Sequence, residues 1–285
     1  MYNLQQLIKN AILFYSLNFK GGFTLPRIDI ELVNRNLIDT RAKAQEAIKN
    51  GIIYCNNKCI TKNSYNVIDT DVLTIQGELL KYVSRGGLKL EKAINAFNID
   101  MKNKTMCDIG SSTGGFSDCA IQNGVSKIYA IDVGSDQFDE KLRLLPNIRL
   151  FENTDFRNID EKILEDVNII TIDVSFISVT KLISKIALLH NVNEIMCLVK
   201  PQFECGKDNA DKYKGVILNK QIHCEVIEKL SSEFGKIGFN VQGLTSSPIK
   251  GGSGNIEYLM YLRNDRNCVD VNVRKIVSEA FGNVR

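Results

Sequence analysis

The stretch "MCDIGSSTGGFSDC", Met106 to Cys119, joins an apolar strand to a helix through a glycine-rich turn. A dinucleotide fingerprint would read G-x-G-x-x-G, and a phosphate-binding loop would carry a lysine after its last glycine. This turn has neither feature, because its glycines are Gly110, Gly114 and Gly115 and no lysine follows them. The turn therefore favours a cationic or neutral ligand over a pyrophosphate.

Two carboxylates suggest what that ligand is. Asp108 precedes the turn and can pair with an ammonium group, while the glycines let the backbone approach closely. Asp132 ends the next strand in "YAIDVG", where a carboxylate can accept hydrogen bonds from ribose hydroxyls. An amino-acid head joined to a ribose describes S-adenosylmethionine. The alternative is a tight turn that only packs a helix on a strand, with Asp132 an ordinary loop carboxylate.

The alternation of strands and helices after about Ser84 predicts the fold. The apolar segments that read as strands are TMCDI, KIYAIDV, IRLFEN, VNIITIDVSF, EIMCLVK, NVQGLTSSPI and NIEYLMYL. Repeated strand–helix units of this kind predict an α/β fold, a Rossmann-like parallel sheet with helices on both faces. Within it, "SVTKLISKIALL" is expected to be one helix, and Pro201 to Val216 a long polar loop.

The region from Arg27 to Ile75 predicts a small α+β unit ahead of the sheet. It contains two helical segments, a hairpin that turns at Asn56 and Asn57, and a further strand. Basic residues around the second helix and the following linker predict a face that contacts nucleic-acid phosphates: Arg27, Arg41, Lys43, Lys49, Lys81 and Arg85. The alternative is a solvated helix face.

Composition limits the other possibilities. A chain of 285 residues favours two domains, and a net charge of +3 permits a nucleic-acid partner without arguing for one. The eight cysteines form no C-x-x-C pair and only two histidines occur, so no metal site is expected. The same cysteine pattern predicts free thiols in a reducing, cytoplasmic location. The apolar stretch within Met1 to Pro26 is too short to span a bilayer, so no stable membrane association is expected.

Four charged residues fall where the predicted topology converges: Lys89, Asp173, Lys200 and Glu257. Asp173 and Lys200 each end a strand, which places both at the carboxyl edge of the sheet. Lys200 follows four apolar residues, so it is poorly solvated and suits the role of a base. Each of the four could instead be a surface charge or part of a structural salt bridge.

At this point the chain resembles a known family, the TlyA family of ribosomal RNA ribose 2′-O-methyltransferases, often labelled hemolysin A. The likeness runs from about Arg27 to Leu262 and is carried by the motifs RIDIELVNRNLIDTRAKAQEAIKNG, KYVSRGGLKLEKA, DIGSSTGGFSDC, AIDVG, DVSFISV, LVKPQFE and SPIKGGSGNIEYL. It implies an RNA-binding domain of the ribosomal protein S-four type at 27–79, a linker at 80–83 and an FtsJ-like methyltransferase domain at 84–264. Residues 1–26 would be an extension and residues 265–285 a helical tail.

The resemblance also implies functional roles. It maps a catalytic tetrad onto Lys89, Asp173, Lys200 and Glu257. It also implies S-adenosylmethionine as the cofactor. The implied substrate is the ribose of a cytidine in ribosomal RNA or in assembled ribosomal subunits. Relatives carry R-x-W-V in the linker, whereas here the arginine is absent and Tyr82 replaces the tryptophan. The residues expected to contact the cofactor are Asp108, Gly110, Ser112, Gly114, Gly115, Phe116, Asp132 and Asp155.

Three other functions compete with this one. A membrane-lytic toxin would need a spanning segment or a strongly amphipathic membrane helix, and the sequence suggests neither. A non-catalytic RNA-binding or ribosome-assembly factor would have no use for all four tetrad residues, which are present. A nicotinamide-dependent dehydrogenase would need the glycine spacing that the turn lacks.

Overall fold

The computed structural model describes residues 25–77 and 79–282. These residues form two compact units, the first ending at Leu79 and the second beginning at Leu80. One hydrophobic cluster lies in the first unit and two lie in the second. Each unit therefore has its own core.

The first unit packs two helices, α1 (Ile28–Asn34) and α2 (Arg41–Lys49), with a three-stranded antiparallel sheet in the order β2-β1-β3. Its strands are β1 (Ile53–Cys55), β2 (Lys58–Cys59) and β3 (Leu73–Ile75). Asn56 and Asn57 have φ angles of 49° and 66°, the left-handed pair that a two-residue hairpin turn requires. The predicted hairpin is present.

A buried carboxylate ties the two helices of the first unit together. Asp29 accepts hydrogen bonds from Arg27 Nε at 2.9 Å, Arg41 Nε at 2.9 Å and Gln45 Nε2 at 2.7 Å. Burial by itself would raise the pKa of Asp29, but the three donors outweigh it and lower the pKa to about 2. Asp29 is therefore an ionised link between α1 and α2.

The second unit is built on a seven-stranded sheet in the order β6-β5-β4-β7-β8-β10-β9. Its strands are β4 (Thr105–Ile109), β5 (Lys127–Ile131), β6 (Ile148–Phe151), β7 (Ile169–Ile172), β8 (Glu194–Val199), β9 (Asn240–Ser246) and β10 (Tyr258–Arg263). The first five strands in this order pair in parallel, as predicted. β10 instead pairs antiparallel with both β8 and β9, because no helix connects β9 to β10 and a parallel crossover needs one.

Helices cover both faces of this sheet. They are α3 (Gly86–Phe97), α4 (Gly115–Gln122), α5 (Glu140–Arg143), α6 (Ile183–Ile186), α7 (Pro201–Glu204), α8 (Lys207–Lys212), α9 (Lys220–Lys236) and α10 (Val273–Gly282). Along β4, Cys107 packs in the cluster that includes α9 and α10, whereas Met106 packs in the one that includes α3 and α4. The predicted α/β fold with helices on both faces is confirmed. Within the described part of the chain, no helix combines the length and apolarity needed to cross a membrane.

Two predictions of secondary structure were wrong. The segment expected to be one helix forms a 3₁₀ turn at Val179–Lys181 followed by the short α6. The Ser178 hydroxyl accepts the Thr180 N–H and closes this tight turn, and the β-branched Val179 and Thr180 have low helix propensity. The segment expected to be a loop contains α7 and α8, and Pro201 occupies the first turn of α7, where proline suits a helix.

The residue at the place of the family's tryptophan, Tyr82, packs inside the second unit. A Cβ on Gly87 would lie 2.3 Å from the Tyr82 ring, so the ring lies against the bare backbone of α3. The Tyr82 hydroxyl donates a hydrogen bond to Glu91 Oε1 at 3.0 Å. Tyr82 therefore anchors the start of this unit to α3.

We expect Asp29→Asn to lower the free energy of unfolding of the first unit by roughly 2 kcal/mol at pH 7. The folded-state pKa of about 2 lies below the ordinary value of 3.8, so this stabilisation is complete above about pH 4 and is lost as the pH falls towards 2. Hydrogen exchange of the α2 amides, measured against pH, checks both the size and the direction. The exposed Asp69→Asn is the control, and equal protection of α2 in wild type and Asp29→Asn would contradict the prediction.

Candidate active site

The glycine turn takes its shape from backbone conformations that favour glycine. Gly110 has a φ of 83°, and a Cβ there would lie 2.6 Å from the carbonyl oxygen of Asp173. Glycine therefore lets the ends of β4 and β7 approach each other. Asp132 holds the other side of the turn, since its two carboxylate oxygens accept the N–H groups of Ser112 and Gly134, each at 2.7 Å.

A cavity of about 480 Å³ opens at the carboxyl ends of β4, β5 and β7. This is the point in the sheet where strand order reverses, which is where such folds bind ligands. Gly110, Ser112, Asp132 and Asp155 line it together with apolar side chains that include Ile109, Val133, Phe156 and Leu182. We call it the cofactor cavity, because its volume and its mixture of apolar walls with a few polar groups suit a small-molecule ligand.

A second cavity of about 770 Å³ contains all four predicted tetrad residues. Lys89, Asp173, Lys200 and Glu257 come from four separate places in the chain and meet in its wall. We call it the substrate cavity. The residues that line both cavities are Gly110, Ser112, Asp173, Ser175, Phe176 and Ile177. Asp173 therefore stands where the two cavities join.

The tetrad forms two ion pairs. Lys200 Nζ lies 2.6 Å from Asp173 Oδ1 and donates a hydrogen bond to Ser175 Oγ at 2.9 Å. Lys89 Nζ donates to Glu257 Oε2 at 2.7 Å. Lys89, Lys200 and Glu257 are only 9%, 7% and 3% exposed, so each charge depends on its partner.

Strand pairing explains why these side chains meet. β7 and β8 are parallel neighbours, with Ile172 beside Cys197, so the residues that follow them leave the sheet at the same edge. β10 runs antiparallel to β8 with Tyr258 opposite Val199, which places Glu257 next to Lys200 at that edge. Lys89 completes the group from α3.

Asp108 does not line either cavity. It is fully buried, and its carboxylate oxygens accept the hydroxyls of Ser117 at 2.7 Å and Thr171 at 2.8 Å. Burial raises the pKa of Asp108 to about 6, although these two hydrogen bonds lower it. This side chain joins β4, β7 and α4 beneath the turn, so its geometry does not support the predicted pairing with a ligand ammonium.

Three other residues expected to contact the cofactor also lie outside both cavities. A Cβ on Gly114 would lie 2.6 Å from the Leu142 side chain, and one on Gly115 would lie 2.4 Å from Ser84 Oγ. Phe116 is buried in the cluster shared with α3. The contacts of these three residues are packing contacts between α4 and its neighbours.

Asp155 lines the cofactor cavity but is already engaged. It caps the 3₁₀ turn Phe156–Asn158 by accepting the Arg157 N–H, and it forms an ion pair with the Arg157 guanidinium. The hydrogen bond from Arg157 holds the pKa of Asp155 below its ordinary value, although burial raises it. Arg157 itself lines the same cavity.

Sequence reasoning missed an aromatic pair beside the tetrad. Phe176 is 92% exposed with a φ of 64°, and its ring centroid lies 5.1 Å from that of Phe203. Both rings line the substrate cavity. Both phenylalanines are visible in the sequence, in "DVSFIS" and "KPQF", and each segment follows a strand. Nothing in the local pattern shows that these two segments face each other.

The basic residues predicted for RNA binding are placed in both units. In the first, Arg27 and Arg41 meet at Asp29, and Lys43 Nζ lies 3.9 Å from Asp39, while Lys49 lies at the opposite end of α2 from Arg41. In the second unit, Lys81 pairs with Glu91, and Arg85 precedes the first residue of α3. The Arg27 and Arg41 side chains remain 40% and 54% exposed, so their bond to Asp29 leaves surface for another contact.

Comparison with known proteins places both units in families. Residues 82–264 match the family described as FtsJ-like methyltransferase, and residues 26–73 match the S4 domain. Hemolysin A of Brachyspira hyodysenteriae is 37% identical over 82% of this chain and 98% of that protein. The 16S/23S rRNA (cytidine-2′-O)-methyltransferase TlyA of Mycobacterium tuberculosis is 34% identical over 83% of this chain and 89% of that protein.

A solved structure agrees with the sequence matches. A candidate hemolysin from Streptococcus thermophilus superposes with a TM-score of 0.71 at 36% identity, covering 90% of this chain and 96% of that chain. The resemblance drawn from the motifs is thereby confirmed. Since the FtsJ-like match covers more than half of the sequence and these relatives align over most of their own length, the chain belongs to the FtsJ-like methyltransferase family, among the relatives of TlyA and hemolysin A.

Proposed function

We propose that this methyltransferase moves the methyl group of S-adenosylmethionine to the 2′-hydroxyl of a cytidine ribose in ribosomal RNA. The observation that carries the proposal is the junction of the two cavities at Asp173, with Lys200 beside it. One cavity can hold the donor and the other the ribose, so the two reactants would meet where the tetrad lies. The relatives named as rRNA (cytidine-2′-O)-methyltransferases support this substrate.

The residues of the cofactor cavity fit S-adenosylmethionine. Each carboxylate oxygen of Asp132 accepts one backbone N–H and has acceptor capacity left for a ribose hydroxyl. The positions of Gly110 and Ser112 suit the methionine part, and Asp155 with Phe156 suits the adenine side. The bound donor supplies an electrophilic methyl group on a sulfonium, a cation that the Asp173 carboxylate at the junction would favour.

Lys200 is the proposed base. In its neutral form its Nζ would accept the proton of the ribose 2′-hydroxyl as that oxygen attacks the methyl carbon. Asp173 and Ser175 would hold Nζ in place through the contacts that they already make. Positioning of two reactants can lower a barrier by roughly 7–11 kcal/mol at best, and a general base adds about 10²–10⁴-fold.

Lys89 and Glu257 are proposed to orient the ribose. Their ion pair lines the substrate cavity next to Lys200 and is nearly closed to solvent. Because Lys89 and Glu257 hold each other in a buried ion pair, both side chains keep fixed positions. Fixed side chains can hold the ribose in one orientation.

The burial of Lys200 favours a nucleotide that is turned out of its helix. Lys200 is 7% exposed in the wall of the substrate cavity, so the ribose of a nucleotide whose base is still stacked in a duplex would not reach it. Phe176 and Phe203 offer aromatic surface on which the displaced base can stack. A loop or bulge of folded RNA, alone or in a ribosomal subunit, is therefore the proposed target.

The first unit is proposed to bind RNA phosphates through Arg27, Arg41, Lys43 and Lys49, with Lys81 and Arg85 contributing from the second. The match of residues 26–73 to the S4 domain supports this role. Phosphate contacts of this kind give salt-dependent affinity without base specificity. Action on ribosomal RNA would place the protein in the cytoplasm.

The three competing functions, a membrane-lytic toxin, a non-catalytic RNA-binding or assembly factor and a dehydrogenase, do not account for the ion pairs and cavities of the site. A lytic toxin or a non-catalytic assembly factor gains nothing from two ion pairs with buried lysines beside a cavity, and burying those lysines is costly in desolvation. A dehydrogenase would need a turn that binds pyrophosphate, which this glycine spacing does not provide.

Lys200→Ala is expected to reduce methyl transfer by at least about 10²-fold, because the hydroxyl loses its base. Transfer of a radiolabelled methyl group to ribosomal subunits measures the loss, and calorimetry should show S-adenosylmethionine affinity largely kept. Lys104→Ala is the matched control, since Lys104 is also ion-paired, to Glu194 at 2.6 Å, but lies outside both cavities. A Lys200→Ala enzyme with the wild-type rate would remove Lys200 from the mechanism.

Asp132→Ala is expected to weaken S-adenosylmethionine binding by about 10–100-fold, because the ribose loses its acceptor and two backbone N–H groups lose theirs. Isothermal titration calorimetry measures the change in Kd. Asp160→Ala is the control, since Asp160 also accepts a backbone N–H, that of Lys162, without lining the cofactor cavity. An unchanged Kd would support the reading of Asp132 as an ordinary loop carboxylate.

A further inference from the structure

A buried carboxylate beside the tetrad has no part in the chemistry above. Glu204, the last residue of α7, is 5% exposed. Its Oε2 accepts the hydroxyl of Ser178 at 2.6 Å, and its Oε1 accepts the backbone N–H of Val179 at 2.7 Å. Burying a carboxylate is unfavourable unless hydrogen bonds compensate for the lost water, and here both bonds go to another segment of the chain.

These bonds complete a series that joins two active-site segments. We call residues 173–179 the β7 loop and residues 200–204 the β8 segment. Lys200 bonds to the start of the β7 loop at Asp173 and Ser175, and Phe203 packs on Phe176 in its middle. Glu204 bonds to its end. The two segments are thus joined at three successive points, with Glu204 the only carboxylate of the β8 segment.

The middle of the β7 loop needs anchors on both sides. Phe176 has a φ of 64°, a left-handed conformation that is unfavourable for a bulky side chain, and its 92% exposure means that little burial compensates. Strained residues of this kind persist only where the surrounding contacts enforce them. Lys200 holds the chain before Phe176, and Glu204 holds it after.

We propose that Glu204 is a positioning residue that keeps the β7 loop in its strained form, with Ser175 on the Lys200 amine and Phe176 between the two cavities. It acts through the loop and does not touch the reacting atoms. Val179 is buried, so without Glu204 its N–H would be left unsatisfied and the end of the loop would move to find a partner. The effect of Glu204 on turnover rests on the proposed function, whereas its effect on the loop does not.

Two substitutions separate the role of its hydrogen bonds from that of its charge. Glu204→Ala removes both bonds. Glu204→Gln can keep both, since its carbonyl oxygen can accept the Val179 N–H and its amide N–H can donate to the Ser178 hydroxyl, which accepts as readily as it donates. The conservative variant should therefore retain the loop and the activity.

A matched control lies at the other end of the strand that precedes the β8 segment. Glu194 is 6% exposed and accepts hydrogen bonds from Lys104 Nζ at 2.6 Å and the Tyr261 hydroxyl at 2.7 Å. It begins β8, whereas Lys200 follows the end of that strand. Glu194→Ala thus removes an equally buried carboxylate far along the strand from the β7 loop, and it reports the cost of lost stability alone.

The first measurement is turnover by the full-length protein on ribosomal subunits, with Tm recorded for every variant. Glu204→Ala is expected to lower kcat by about 10²-fold, the size expected for a misplaced catalytic group, while calorimetry shows a smaller change in S-adenosylmethionine affinity. Glu204→Gln and Glu194→Ala should keep kcat within the same order of magnitude as wild type at a temperature where all are folded. An equal loss of kcat in Glu204→Ala and Glu194→Ala would overturn the proposal.

The second measurement does not depend on activity. The chain contains no tryptophan, so Phe176→Trp makes a single fluorescent reporter in the β7 loop. Adding Glu204→Ala to this background should lower the tryptophan anisotropy, whereas adding Glu204→Gln or Glu194→Ala should leave it unchanged. An anisotropy that Glu204→Ala does not alter would refute the positioning role. A wild-type protein that methylates no RNA would instead refute the proposed function, and the reporter would still decide the role of Glu204.

Discussion

The ion pair between the buried Lys200 and the partly exposed Asp173, with Nζ 2.6 Å from Oδ1, sets the arrangement of the active site. The Lys200 ammonium is largely removed from water, so it depends on Asp173 for compensation of its charge. Because the two residues follow neighbouring parallel strands, their contact also joins the β7 loop to the β8 segment where both leave the sheet. The cofactor cavity and the substrate cavity share this edge, and their junction depends on that pair.

The carboxylates around the site differ in position and in hydrogen-bond partners, and these differences indicate different roles. Asp108 lies under the glycine turn and binds Ser117 and Thr171, which makes it part of the framework on which the turn rests. Asp132 lies in the cavity wall and binds only backbone N–H groups, so it retains capacity for a ligand. Glu204 lies behind the wall and bonds to the loop that carries Ser175 and Phe176. Of these three carboxylates, only Asp132 combines a place in the cavity wall with free acceptor capacity.

Much of this could be predicted from the sequence, because it depends on local pattern. Apolar strands that alternate with helices predicted the α/β sheet, and the glycines marked the turn at the end of β4, where Gly110 and Gly114 have a left-handed φ. Asp173 and Lys200 could be placed because parallel strands end at one edge of a sheet, whereas their grouping with Lys89 and Glu257 as a catalytic tetrad came from the family resemblance. The motifs were also sufficient to identify the family, since they occur in order along most of the chain.

Sequence alone determined the fold class, the family and the placement of Asp173 and Lys200 at the carboxyl edge of the sheet. Only the tertiary structure decided which residues of the glycine turn line a cavity, that Gly114, Gly115 and Phe116 pack α4 instead, and that Glu204 bonds to Ser178, 26 residues earlier in the chain. The reason is physical: periodicity and spacing report on neighbours along the chain, whereas burial and long-range hydrogen bonds arise only when separate loops pack against each other.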